Sequence, residues 1–231
     1  MGIYFKGHIK TSLIDYPQKI STVLFAAGCN FRCDYCHNAP LLDKNESDIK
    51  EEELLDFLKK RKKYLDAICL SGGEITLYKE LPEFIRKVKE MGYLVKIDTN
   101  GTNPFLLRQL ICESIVDYVA MDIKAPFDKY EDIVNSTVNI NIIKESIKMI
   151  IDSGIDYEFR TTVCKELLDI DDIMSIAKEI KGAKRYCIQN FKDRETVLIG
   201  KGKLTPYEAE LLLKIKQDLS GYFGELIIRN I

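Results

Sequence analysis

Three cysteines, Cys29, Cys33 and Cys36, fall within eight positions of the stretch GCNFRCDYCHN, residues 28–38. Thiolates spaced Cys-x3-Cys-x2-Cys in one loop can wrap a single compact centre of a soft metal. A structural zinc site takes four protein ligands, commonly two Cys-x2-Cys pairs or one such pair with histidines. His37 is the one nearby candidate for a fourth ligand, and residues adjacent in the chain (here Cys36 and His37) rarely close a tetrahedron together. A [4Fe–4S] cluster also ordinarily takes four thiolates. Three leave one iron with an open position, which is what metal catalysis uses. The remaining cysteines, Cys69, Cys112, Cys164 and Cys187, are scattered over strand and helix patterns and read as small buried hydrophobes.

Other polar groups recur at the ends of apolar, β-branched runs. SGGE (71–74), DTNG (98–101), MDIK (121–124), RTTV (160–163) and QNF (189–191) each close one run, and the cysteine loop closes the first. A turn needs one or two Gly, Asp or Asn residues, but not an acid or a base at nearly every run. In parallel α/β folds ligands gather at the carboxyl ends of strands, so these groups are predicted to converge on one face.

The elements that must position them are legible in two alternating periodicities. Strands are predicted over 20–27, 67–70, 93–97, 118–123, 157–163 and 185–191. Helical faces lie between them: Leu54, Leu55 and Leu58; Leu81, Phe84, Ile85 and Val88; Leu106, Leu107 and Leu110; Ile140, Ile143, Ile147 and Ile150; Ile170, Ile173, Ala177 and Ile180. Asn103-Pro104 reads as an N-cap with proline at the first helical position. Thr205 with Glu208 reads as a capping box that opens a last helix. Met91-Gly92 and Ser153-Gly154 read as helix stops. Six strands alternating with helices imply parallel βαβ units, in a barrel or a doubly wound sheet. The first nineteen residues read as an edge hairpin or extended lead-in, and the tail ELIIRNI as one more strand. No composition break divides the 231 residues, so one domain is expected over 1–231.

Composition narrows the function classes. A formal net charge of −2 argues against a nucleic-acid surface. The one basic block, KKRKK (59–63), follows a helical pattern and reads as a solvated helix end. There is no run of eighteen apolar residues to span a membrane. The N-terminus lacks a secretion pattern, which makes the cytoplasm the expected compartment, with reduced cysteines rather than disulfides.

Cys29-x3-Cys33-x2-Cys36, with Tyr35 before the last cysteine, resembles the cluster loop of the radical S-adenosylmethionine (SAM) superfamily. SGGE after the next strand strengthens the likeness. Together with GHIKTSLIDYP near the start, DTNG, MDIK and RTTV, the pattern is similar to the short activating enzymes of glycyl radical enzymes. It is most similar to the type that activates anaerobic ribonucleoside-triphosphate reductase, with the pyruvate formate-lyase activating enzyme as a near relative. The resemblance implies a partial (β/α)6 TIM-like barrel with an open lateral face, a short N-terminal extension over 1–19, a core over 20–200 and a C-terminal helix and strand over 201–231. It implies one [4Fe–4S] cluster on Cys29, Cys33 and Cys36, whose open iron is chelated by the amino and carboxylate groups of SAM. Cluster reduction then cleaves SAM to a 5′-deoxyadenosyl radical that abstracts hydrogen. The loop runs straight to Pro40, with the next helix expected near Ser47, so no inserted domain for further clusters is expected.

The resemblance also implies roles for single residues. Gly72 and Gly73 let the backbone approach the SAM amino group, and Glu74 contacts that ammonium or caps the next helix. Ile75 stands where family members usually have proline. Asp98 and Asp122 would bind a monovalent cation beside SAM, Lys124 and Arg160 would face its carboxylate, and Asn100 would lie near the ribose. For Arg160, within an apolar strand, an acidic partner is the other expectation. Tyr35 and Phe191 would lie near the adenine, although a relative has a histidine where this chain has the QNF segment. The implied partners are a glycyl radical enzyme, with anaerobic ribonucleotide reductase first and pyruvate formate-lyase second, and a flavodoxin- or ferredoxin-type electron donor. A small-molecule enzyme of similar length, such as 7-carboxy-7-deazaguanine synthase, and a non-catalytic iron–sulfur electron carrier are the competing readings.

Overall fold

Eight strands hydrogen-bond side by side in the order of the sequence, in a computed structural model that describes residues 2–43 and 49–231. β1 (Phe5–Ser12) runs antiparallel to β2 (Ser21–Ala26). β3 (Ala67–Gly72), β4 (Leu94–Thr99), β5 (Tyr118–Asp122), β6 (Asp156–Val163), β7 (Arg185–Asn190) and β8 (Glu225–Arg229) follow, each parallel to its predecessor. The connections carry α1 (Glu51–Arg61), α2 (Leu81–Glu90), α3 (Pro104–Cys112), α4 (Tyr130–Val134), α5 (Ile140–Asp152), α6 (Ile170–Glu179) and α7 (Ala209–Asp218). Six βα units therefore lead into a last strand. β1 and β8 stand at opposite ends of the order and do not pair, so the barrel is partial and open on one side.

Side-chain alternation divides the strands between two environments. Ile68 and Leu70 of β3 belong to the large core, together with Phe84, Ile85 and Val88 of α2 and Leu107 and Leu110 of α3. Their neighbours Ala67 and Cys69 belong to a smaller cluster with Tyr16, Val23, Tyr118 and Ala120, on the concave side of the sheet. Tyr16 comes from the return between β1 and β2, with its ring 5.8 Å from that of Tyr118. The first nineteen residues thus add an edge strand and also fill the closed end of the barrel.

Local signals set most boundaries. The Asn103 side chain accepts from Leu106 N, with Pro104 at the first position of α3. Gly92 and Gly154, at φ +81° and +74°, follow α2 and α5. The capping box predicted at Thr205 does not form, and α7 begins at Ala209. Thr205 is held elsewhere: Lys165 N donates to its carbonyl, its own N–H donates to Glu166, and Lys165 pairs with Glu208. A capping box does form at Asp169 and Asp172, at the start of α6. α4 had no periodic signal because it is a single short turn, closed by Asn135 in the left-handed region. α1 begins at Glu51, and Ser47, where it was expected to start, lies outside the described residues. Among the described residues no helix is long and apolar enough to cross a membrane.

One glycine fixes how closely β2 and β3 end. A Cβ on Gly73 would stand 2.0 Å from Gly28 O, where the chain enters the cysteine loop. Gly154 has open space around it, so a side chain there meets only left-handed strain. Gly154→Ala is expected to cost about 1 kcal/mol and Gly73→Ala about 3 kcal/mol, because backbone must move. Urea unfolding of both variants checks this; equal losses would show that the Gly28–Gly73 approach is not tight.

Candidate active site

The strand-end motifs meet in one cavity of about 210 Å³. Cys29, Cys33, Tyr35, Cys36, Gly72, Gly73, Glu74, Asp98, Asn100, Asp122, Lys124 and Arg160 all line it. Phe191 does not: its ring is buried and stacks on His37, with centroids 5.4 Å apart. From β7 the cavity receives Gln189 instead.

The cysteine loop is held from several sides by backbone. Gly28 N and Cys29 N donate to Leu41 O and Leu42 O, and Arg32 N donates to Val134 O at the end of α4. Asn135 donates to Arg32 O and to the Asp34 carboxylate. Leu198 N and Ile199 N, in the segment after β7, donate to Cys36 O and Asp34 O. Burial pushes the Cys29 thiol up to about 11 and raises that of Cys33 as well. His37, the other nearby candidate, is engaged elsewhere through Nε2, which bonds to Lys192 O, and its ring lies against Phe191. The three thiols share one cavity, yet among the described residues no trio of Cys, His, Asp or Glu converges as a site for a single ion. Three cysteine thiolates are the soft donors that iron–sulfur clusters take. Of the other cysteines, Cys69, Cys164 and Cys187 are buried as expected, but Cys112 is exposed at the end of α3.

A charged wall faces the loop. Asp98 Oδ1 accepts from Lys96 Nζ at 2.6 Å and lies 3.3 Å from Arg160 Nη1, while Oδ2 accepts from Ser71 Oγ at 3.0 Å. Asp122 Oδ1 accepts from Arg160 Nε at 2.7 Å, and Oδ2 from Lys124 Nζ at 2.9 Å. Burial works to raise both carboxyls, but Arg160 with Lys96, and Arg160 with Lys124, hold them below the usual carboxylate range. Burial works likewise against the Lys124 and Arg160 charges, and the aspartates outweigh it. Each of the four oxygens of Asp98 and Asp122, where a monovalent cation was expected, already accepts from a protein cation or from Ser71. Arg160 has its acidic partners. Lys124 is tied to Asp122 through one of its three ammonium donors.

Several expected ligand contacts are internal bonds. Glu74, fully buried, accepts from Thr76 N, Thr76 Oγ1 and Thr99 Oγ1 on Oε1, and from Asn100 N on Oε2. Burial raises its carboxyl while these donors oppose the rise. It caps the turn Ile75–Leu77 and joins the loops after β3 and β4. Asn100 donates to Asn30 and accepts from Thr102, which fastens the cysteine loop to DTNG. The close approach that Gly72 and Gly73 allow is to Ala26 and Gly28, while Gly72 O accepts from Asn38 Nδ2. The Tyr35 ring is buried in the wall of the cavity, with Lys124 Nζ 5.7 Å from its centroid.

Sequence reasoning passed over Lys96, and it gave no role of their own to Asn30, Ser71, Thr162 and Gln189, which lie within motifs it singled out. The available signal was strand alternation: Ser71 is two residues past Cys69, Lys96 two before Asp98, and Thr162 two past Arg160. Lys96 and Thr162 thus share the concave face with Asp98 and Arg160, which were already singled out.

Residues 23–180 match the model of the Radical SAM superfamily. The chain belongs to the radical SAM superfamily. A Methanocaldococcus jannaschii protein named "Putative glycyl-radical enzyme activating enzyme" is 38% identical, with 100% of this chain and 98% of that protein aligned. The pyruvate formate-lyase-activating enzyme of Clostridium pasteurianum is 28% identical over 87% of this chain and 94% of its own length. Among solved structures, Streptococcus suis SuiB bound to S-adenosylmethionine superposes with a TM-score of 0.67 at 13% identity, over 88% of this chain. The chain spans about half (48%) of SuiB. A domain of the pyruvate-formate lyase-activating enzyme of Bacteroides vulgatus gives 0.56 at 15% identity, over 71% of this chain and 99% of that domain. At these identities the structural likeness shows the partial-barrel fold. This radical SAM protein is an enzyme, and its cofactors are a [4Fe–4S] cluster and SAM.

The charged wall of this radical SAM enzyme generates a prediction. Arg160→Met leaves two buried carboxylates short of a cation and is expected to cost about 3 kcal/mol at pH 7. In the wild type, the depressed carboxyls contribute stability above their unfolded value near 3.9, lost as pH falls through the folded value. The variant's carboxyls take up protons at higher pH, so its deficit should shrink from pH 7 towards pH 5. Urea unfolding at both pH values measures this; a constant deficit would assign Arg160 to packing alone.

Proposed function

We propose that this chain is an activating enzyme that abstracts hydrogen from a glycine Cα of a glycyl radical enzyme, with anaerobic ribonucleoside-triphosphate reductase as the leading partner. The observation that carries the reading is a three-thiol loop facing a wall of fixed cations across one cavity, in a barrel open on its side. A relative aligned over the full chain bears an activating-enzyme name, which supports the reaction class. The open side leaves room for a segment of a large partner.

Cys29, Cys33 and Cys36 would hold three irons of the cluster and leave the fourth for the amino and carboxylate groups of SAM. Lys124 and Arg160 would then face the SAM carboxylate with charge that is already fixed by Asp122 and Asp98. Gly72 and Gly73 keep the strand end thin beside the thiols, and Tyr35 and Phe31 close the cavity with apolar surface. When bound, the cluster and SAM supply one-electron cleavage of the sulfonium and the hydrogen-atom abstraction that follows. The electron would come from a flavodoxin- or ferredoxin-type donor in the cytoplasm. Pyruvate formate-lyase is the second partner reading, favoured by the similarity to the activating enzyme of Clostridium pasteurianum over nearly the length of both.

Anaerobic reconstitution is expected to load about four irons per chain, with an electron paramagnetic resonance signal that changes when SAM is added. Cys33→Ala should abolish both the cluster and SAM cleavage, and retention of either would remove Cys33 from the ligand set. The reduced enzyme with SAM, mixed with an anaerobic reductase, should place a glycyl radical doublet on it. A doublet on pyruvate formate-lyase alone would make that enzyme the partner, and a spectrum indifferent to SAM would defeat the reading altogether.

A further inference from the structure

We propose that the ammonium of Lys96 stands where a monovalent cation would otherwise sit beside the site carboxylates, making Lys96 a positioning residue of a SAM pocket that needs no added ion. The inference rests on the SAM reading of the cavity. Lys96 lies inside β4 and is 2% exposed, a degree of burial that lysine almost never reaches without a dedicated partner. Its neighbours on the concave face include Cys69, its register partner on β3, and Asp98, two residues on. Its Nζ reaches Asp98 Oδ1 at 2.6 Å, the shortest ion pair of the charged wall.

The coordination and the charge balance agree. A hard cation binds through several oxygens, and each of the four aspartate oxygens already accepts at least one bond from the protein. Lys96 and Arg160 share Asp98 Oδ1, Ser71 holds Oδ2, and Arg160 and Lys124 take the two oxygens of Asp122. Asp98, Asp122 and Glu74, the three carboxylates of the cavity, stand against the three cations Lys96, Lys124 and Arg160, so the protein's own charges balance. An added ion would leave an unbalanced positive charge in a buried space, beside cations that repel it. Glu74, the other carboxylate of the cavity, offers no alternative, because Thr76, Thr99 and Asn100 fill its oxygens. Lys96 does not line the cavity, so it acts through Asp98, which fixes Arg160.

The test compares choline chloride with potassium or sodium chloride at equal ionic strength, so that general screening is the same. Thermal unfolding of the full chain, and SAM binding by the cluster-loaded protein, are measured for wild type and for Lys96→Met. The wild type should show the same midpoint and the same SAM affinity in all three salts. Lys96→Met should bind SAM about tenfold more weakly in choline, the loss of one charged hydrogen bond. Potassium or sodium should restore most of that affinity and raise the variant's unfolding midpoint. A wild type that gains stability or SAM affinity from potassium or sodium would overturn the proposal, as would a Lys96→Met variant indifferent to the ion. Should Lys96→Met fail to fold, the wild-type arm decides alone, with the sodium-23 resonance expected to stay unbroadened by the loaded protein. Absence of SAM binding in every salt would defeat the SAM reading, while the unfolding comparison still decides what Lys96 replaces.

Discussion

Asp98 and Asp122 end adjacent strands on the concave side of the sheet, and the site depends on keeping both ionised there. Unpaired carboxylates in such a place would take up protons, and the local charge would vanish. Arg160 prevents this by bridging the two from β6, with Lys96 and Lys124 completing the neutralisation. The register of three strands is therefore also a register of charge: Asp122 lies directly opposite Arg160, and Asp98 opposite Ala120, whose small side chain leaves room for the guanidinium to cross. A shift of one residue in any of these strands would turn its charges onto the apolar outer core.

Around that wall, loops are joined directly to one another. Glu74 connects the ends of β3 and β4, Asn100 connects DTNG to Asn30, and Gly73 lets the chain after β2 press against the end of β3. These bonds hold the thiol loop and the cations in one frame. Preorganisation of this kind matters where a reactive species must be directed and water kept away.

The convergence of the motifs was legible because parallel strands expose their carboxyl ends on one face, so order along the chain became position in space. Strand and helix placement followed from period, and the caps at Asn103, Gly92 and Gly154 from local backbone chemistry. The partners of each side chain were not legible. Glu74 and Asn100 resembled ligand groups by type, yet bonds between loops, which depend on tertiary distance, claimed them. Lys96 looked like one more lysine in a chain with many, and only its depth in β4 distinguishes it. Thr205 carried the right spacing for a capping box and lost to competing bonds from Lys165 and Glu166, far away in sequence.

The support beneath the cysteine loop comes from the chain around it. Backbone bonds from Leu41, Leu42, Val134, Leu198 and Ile199, together with the Asn135 amide, hold the loop without any contribution from sulfur. A zinc finger has no such frame and folds only as its metal binds. Here the frame is drawn by the polypeptide itself, so the three thiols stand on a cradle whose outline is set by amides and carbonyls from separate stretches of chain.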